Sequence, residues 1–130
     1  MSSVIRRTLL LLAVLPLISA AQPASIDALM ASPENFKLLL ENEQVRVLEY
    51  TLQPGERDQW HTHPPKVSYV VTGGTLRITT EDGKSFLADD AAGTATWMGA
   101  IGRHFVENVG KTPVRMVLVE VKSAAQDNAP

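Results

Sequence analysis

The sequence predicts an all-β fold, and three observations carry that expectation. From Val45 to Val121, short runs rich in Val, Thr, Ile and Tyr alternate with turn residues at intervals of about 8–12 residues. Nothing in that span sustains the apolar 3.6-residue period of a helix between strands, so βαβ units are not expected and a sandwich or barrel is. A chain of 130 residues with 45% hydrophobic and 20% charged content suits one globular domain.

The elements follow in order. Arg6 and Arg7 precede the apolar run Leu9 to Ile18 and the small residues Ser19, Ala20 and Ala21. That order predicts a secretory signal over residues 1–21, cleaved after Ala20 or Ala21, with a faint twin-arginine character. The apolar run, interrupted by Pro16, is shorter than the roughly 20 residues needed to span a bilayer. The mature protein is therefore expected to be periplasmic or secreted, with no stable membrane insertion. Residues 22–44 are expected as an N-terminal extension, with a short helix starting near Ser25, Leu29 and Met30 docking on the body, a short strand at Phe36 to Leu40, and a turn at Glu41 to Gln44.

Residues 45–121 form the predicted domain and 122–130 a C-terminal tail. Its strands are expected at Val45–Leu52, around His61–His63, and at Val67–Thr72, Thr75–Thr80, Ser85–Leu87, Thr94–Met98, His104–Asn108 and Val114–Val121. Asp82-Gly83 is expected to close a two-residue hairpin, because that pair accepts positive φ angles.

Composition narrows the chemistry. With Lys+Arg 12 against Asp+Glu 14 the chain lacks the basic surplus that tracks phosphate backbones, so nucleic acid is not an expected partner. The absence of cysteine excludes disulfides, thiolate metal sites and cysteine nucleophiles. No Gly-x-Ser-x-Gly elbow, Walker loop or His-Glu-x-x-His helix is present.

The 3 histidines are His61, His63 and His104. In an extended strand, residues two apart face the same side, so His61 and His63 present two imidazoles to one space. An antiparallel roll can bring His104 opposite them, giving three nitrogen donors and open coordination positions for a divalent iron, manganese or zinc ion. The alternative for each is an ordinary hydrogen-bonded histidine.

Gly55, His61, His63 and Gly73 in one block, and Gly93, His104 and Asn108 in another, resemble the two motifs of the cupin superfamily. The likeness spans about residues 45–121 and is similar to small single-domain bacterial cupins with a His-x-His-Pro-Pro segment. It implies a double-stranded β-helix, or jelly roll, with a metal inside the barrel and often a homodimer. Lys66 stands where the family places a glutamate ligand, and Gly99 and Ile101 replace the proline and glycine of the second motif, with Gly102 one place along.

A protonated lysine cannot ligate a metal and repels one nearby. Three outcomes are open: Lys66 points outward, or it faces the cavity and pairs with an anionic substrate, or the site is metal-free. Gln59 shares the face of the histidine pair and is a candidate orienting or substitute oxygen donor; Asn108, four residues from His104, is a candidate to orient the site. Trp60, Trp97, Tyr69 and Met98 are candidates for the pocket wall or plain core. Arg103 is read as a surface salt-bridge partner, with anion binding as the alternative, and Glu107 falls on the face away from the site.

The function expected is an exported metal-binding cupin that acts on or binds a small organic, anionic molecule, with dioxygenase-like chemistry if it is an enzyme. Alternatives are a non-catalytic binding or sensing module without stoichiometric metal, and a metal-assisted isomerase or hydrolase.

Overall fold

The computed structural model describes residues 24–123; the expected signal segment and residues 124–130 of the expected tail lie outside them. Helix α1 (Ala28–Ala31) is a single turn, N-capped by the Asp27 carboxylate, which accepts the Met30 N–H at 3.2 Å. Ala28 is buried and Leu29 packs on the core, but Met30 is 81% exposed. It lies about 200° around the helix from Ala28, so the two cannot both face inward.

Strand β1 (Phe36–Glu41) pairs antiparallel with β2 (Val45–Leu52), with an irregularity between Leu38 and Leu40. The turn between them is fastened by the Asn42 side-chain oxygen, which accepts the N–H groups of Gln44 and Val45 at 2.8 and 2.9 Å. The segment 36–41 is thus built into the sheet.

The remaining strands are β3 (His61–His63), β4 (Lys66–Thr72), β5 (Gly74–Thr80), β6 (Ser85–Asp90), β7 (Ala95–Met98), β8 (Ile101–Asn108) and β9 (Val114–Val121). They form a five-stranded sheet, β1-β2-β9-β4-β7, and a four-stranded sheet, β3-β8-β5-β6, with every strand pairing antiparallel. The chain crosses from one sheet to the other at Pro64-Pro65, where two residues without N–H donors cannot continue a ladder. The expected roll is present as two facing sheets that are not closed edge to edge by a continuous ladder.

The β5–β6 hairpin differs from the two-residue expectation. Among the described residues only glycines have positive φ, and Gly83 has φ +80 while Asp82 does not. Gly83 N–H donates to Thr80 C=O and Thr80 N–H to Lys84 C=O, each at 2.9 Å, which makes Glu81-Asp82-Gly83 a three-residue loop. A two-residue type I′ turn would force Asp82 as well into the left-handed region; the longer loop confines that conformation to glycine.

The core lies between the sheets. Along β9 the alternation buries Val114, Met116, Leu118 and Glu120, and along β2 it buries Leu48, Tyr50 and Leu52. Val70 from β4, with Leu76 and Val106 from the opposite sheet, completes the contact. The apolar face ends at one side of the roll in a polar group: the histidines, Lys66 and Glu120.

Candidate metal centre

Antiparallel register places His104 on β8 directly across from His61 on β3. The ladder then slips by one residue, so that His63 faces Ile101. Alternation keeps His61 and His63 on one face, and the three imidazoles are buried at 1, 6 and 4% exposure. Thr62, pointing the other way, exchanges hydrogen bonds with the Ile26 backbone at 3.0 Å and braces β3 from behind.

Each ring is held by its Nδ1. His61 Nδ1 donates to the Gln59 carbonyl at 2.7 Å, His104 Nδ1 to the Gly102 carbonyl at 2.8 Å, and His63 Nδ1 to the Glu120 carboxylate at 2.6 Å. Oxygen acceptors at all three outer nitrogens fix the tautomer, so the Nε2 lone pairs are left to face the shared space. His61 Nε2 and His63 Nε2 stand 3.1 Å apart, and the three potential ligand atoms lie within 4.8 Å of one another.

Two lone pairs at 3.1 Å repel unless a cation lies between them. That spacing subtends about 100° at an ion with metal–nitrogen distances of about 2.0–2.1 Å. Gathering all three nitrogens onto such an ion requires them within about 4.1 Å, a closure of less than an ångström. The donor set therefore fits a first-row divalent ion and leaves further coordination positions open.

Glu120 is the residue the sequence reading missed. Its Oε1 accepts from His63 and its Oε2 from Arg46 Nε at 2.7 Å, and Arg46 also pairs with Asp27 at 2.5 Å. A chain of charges thus links the histidine cluster to the helix cap. Burial would raise the Glu120 pKa, yet the bonds from His63 and Arg46 hold it below the ordinary carboxylate value. The signal was available: counting by twos from Val114 along β9 puts Glu120 on the interior face.

Burial lowers the pKa of all three histidines, to about 4 for His63 and His104, against the raising effect of their oxygen partners. They are neutral near pH 7, as metal ligation requires. Asp58, fully buried, accepts from Tyr50 Oη at 2.8 Å and from Val106 N–H at 2.7 Å; burial lifts its pKa to about 6 despite those bonds.

Lys66 faces inward. It is 6% exposed and lines the same cavity as the histidines, so the outward-pointing outcome is wrong. β4 lies between β9 and β7, and both neighbours hem the side chain in. Burial lowers its pKa to about 8, partly offset by Glu120 and Asp90.

The other candidates separate cleanly. Gln59 is exposed and serves through its backbone: the carbonyl holds His61, and the N–H donates to Ser32 Oγ at 2.8 Å. Its side chain does not line the cavity, because the strand does not begin until His61 and no face alternation extends back to it. Asn108 does not orient the histidines either. Its amide donates to the Leu52 and Thr112 carbonyls at 2.9 and 2.8 Å and accepts from Gly110 N–H at 3.0 Å, fastening the far end of the roll.

Trp97 and Tyr69 are exposed on the outer face of the five-stranded sheet and wall nothing, while Trp60 stacks edge-on to Phe105 at 4.7 Å. Met98 does line the cavity. Phe36, missed from the sequence, sets its ring edge-on to His61 and His63 at 5.3 and 5.8 Å. Arg103 pairs with Glu81 at 3.2 Å and Glu107 with Arg77 at 3.6 Å, both at the surface.

A cavity of about 280 Å³ lies between the sheets, with the three histidines, Lys66, Phe36 and Met98 among its lining residues. The cupin domain family model matches residues 48–120, more than half of the chain, from within β2 almost to the end of β9 but without β1. The chain belongs to the cupin family. Among solved structures, this cupin is similar to a cupin domain from Bordetella pertussis, at 25% identity and TM-score 0.63, covering 81% of this chain and 100% of that one. It is also similar to an RmlC-like cupin family protein with a double-stranded β-helix fold from Methanocaldococcus jannaschii (17% identity, TM-score 0.56, 72% and 84% covered). A third is a conserved double-stranded β-helix protein from Klebsiella pneumoniae (22% identity, TM-score 0.54, 66% and 74% covered). The last two likenesses speak to fold alone, and together the matches establish the jelly roll. No curated protein matches the chain.

Proposed function

We propose that this cupin holds one divalent iron, manganese or zinc ion on His61, His63 and His104 and presents a small organic molecule to it, with dioxygenase-type chemistry as the reaction. The observation that carries the proposal is the pinning of all three Nδ1 atoms to oxygen acceptors, which aims three Nε2 lone pairs at one point. An ion held by these histidines would supply Lewis acidity or, as iron, redox chemistry toward dioxygen. The chain's own residues supply the rest. Glu120 holds His63 in its ligating tautomer, Phe36 limits ring rotation, and the apolar sheet faces exclude water.

A second reading, a ligand-binding module without stoichiometric metal, is favoured by one observation: a buried lysine lines the histidine cavity, where its charge opposes a cation. Metal analysis of the tag-free mature protein and of His61→Ala separates the two. Stoichiometric iron that disappears in the variant supports the oxygenase reading; a metal-free protein that still binds ligand supports the second.

Export and pairing of two copies belong to the same proposal. The order of residues in the segment 1–21 supports export, and the exposed Tyr69 and Trp97 on the outer sheet face offer apolar surface for a partner copy to cover.

A further inference from the structure

Lys66 is a buried cation without a counter-ion in contact. Its Nζ donates to Ser68 Oγ at 3.1 Å and touches Met98 Sδ at 3.5 Å, leaving an ammonium donor without an oxygen partner. No carboxylate of the described residues comes within 4.0 Å of it. Glu120, its register neighbour on β9, has both oxygens taken by His63 and Arg46, and Asp90 acts on it only through space. The side chain cannot escape to solvent, since β4 is an interior strand of its sheet and alternation turns Lys66, Ser68 and Val70 together into the cavity.

The surroundings define what would satisfy it. The rest of the cavity wall is mostly apolar, with Val70, Leu76, Ile78, Phe86, Met116 and Leu118 among its residues; of its two carboxylates, Asp58 has both oxygens bonded to Tyr50 and the Val106 N–H, and Asp90 makes no contact with Lys66. Among the described residues no arginine lines it, and Lys66 is its one lysine. A phosphate dianion would meet too few donors, whereas a carboxylate matches one ammonium and one hydroxyl. At about 280 Å³ the space is just below the usual range for drug-sized ligands, which limits the body to a compact one.

We propose that Lys66 and Ser68 form an anion anchor, and that the ligand of this cavity is a small monocarboxylate with a compact apolar body. The proposal rests on the reading of the cavity as a ligand site and names the class of ligand. Lys66 is then a specificity residue: it makes a carboxylate preferable to its neutral amide.

The test is calorimetric titration of the mature protein with butanoate and, separately, with butanamide, its uncharged isostere, with metal content measured on the same preparations. The expected result is that butanoate binds at least about tenfold more tightly than butanamide in the native protein. That ratio should fall about tenfold in Lys66→Met and recover in part in Lys66→Arg. Comparing ratios between variants at matched metal content cancels what a bound metal contributes to carboxylate affinity. A ratio near one in the native protein, absence of butanoate binding, or a ratio unchanged in Lys66→Met overturns the proposal. Lys66→Gln, closer in polarity, serves if the methionine variant does not fold. Metal-free protein with an intact Lys66-dependent preference would retire the metal reading and leave the anchor standing, whereas metal-loaded protein without that preference would do the reverse.

Discussion

The carboxylate of Glu120 takes the outer nitrogen of His63 at 2.6 Å, from the strand β9 that belongs to the opposite sheet. The contact joins the two layers of the roll at the histidine cluster. A carboxylate in this position acts on a metal indirectly: it fixes the imidazole tautomer and raises its basicity as a ligand. It also supplies negative charge beside the cavity that Lys66 lines.

Replacing Glu120 with Gln should therefore lower metal affinity by about 10–100-fold while leaving the fold intact, since the amide oxygen can still accept one bond. Chelator competition followed by metal analysis measures the effect, and circular dichroism checks the fold. Glu120→Ala should be worse in a second way. It strips Arg46, whose side chain is only 16% exposed, of its most buried partner, and thermal stability should fall with metal affinity.

Lys66→Glu tests the charge of the site from the other side. The exchange replaces a cation that lines the histidine cavity with a carboxylate. Metal affinity should rise by at least tenfold, about 1.4 kcal/mol, read by the same competition. An unchanged affinity would mean that the side chain at this position does not sense the ion.

Acid should both unfold the protein and release its metal. Burial first, and the nearby charges of Lys66 and the other rings, depress His63 and His104 to about 4 in the folded chain, against an ordinary value of 6.5. Between those pH values the unfolded chain binds more protons than the folded one, so stability falls as pH falls through that window. Above pH 6.5 the contribution is fully present. Urea denaturation of the metal-free protein between pH 7 and 4 should give midpoints that decline steadily, and His104→Gln should flatten the decline.

Much of this arrangement is readable from the sequence because it depends on the two-residue period alone. That period put His61 and His63 on one face and set the bounds of β2 and β9 to the residue. It also holds Glu120 and Lys66 inside, but a charged residue near the end of an apolar strand is easily taken for a terminal, solvated one. What the period cannot convey is where a strand starts or how a ladder slips. Gln59 shares the histidines' spacing but precedes the strand, and Asn108 shares a face with His104 yet its side-chain bonds go to the far end of the roll. Gly73 is legible only as punctuation. In the structure a Cβ there would lie 2.0 Å from the Asp90 carbonyl oxygen, a close approach between strands that no local pattern encodes.

Asn108 provides the sharpest separation of scaffold from site. Its side chain is 1% exposed and spends both N–H donors and its oxygen on backbone groups of β2 and the β8–β9 connection. Asn108→Ala leaves the Leu52 and Thr112 carbonyls and the Gly110 N–H without that partner. Each buried polar group left unsatisfied costs about 1–3 kcal/mol; the Gly110 N–H keeps the Thr75 carbonyl at 3.1 Å, so the two carbonyls carry the effect and a loss of about 2–4 kcal/mol is expected. In a domain of this size that should lower the melting temperature by about 10 °C or more. The metal stoichiometry of the folded fraction should stay at the native value, because none of the three bonds touches a histidine. A variant of normal stability that lost its metal would show instead that Asn108 orients the ligands after all.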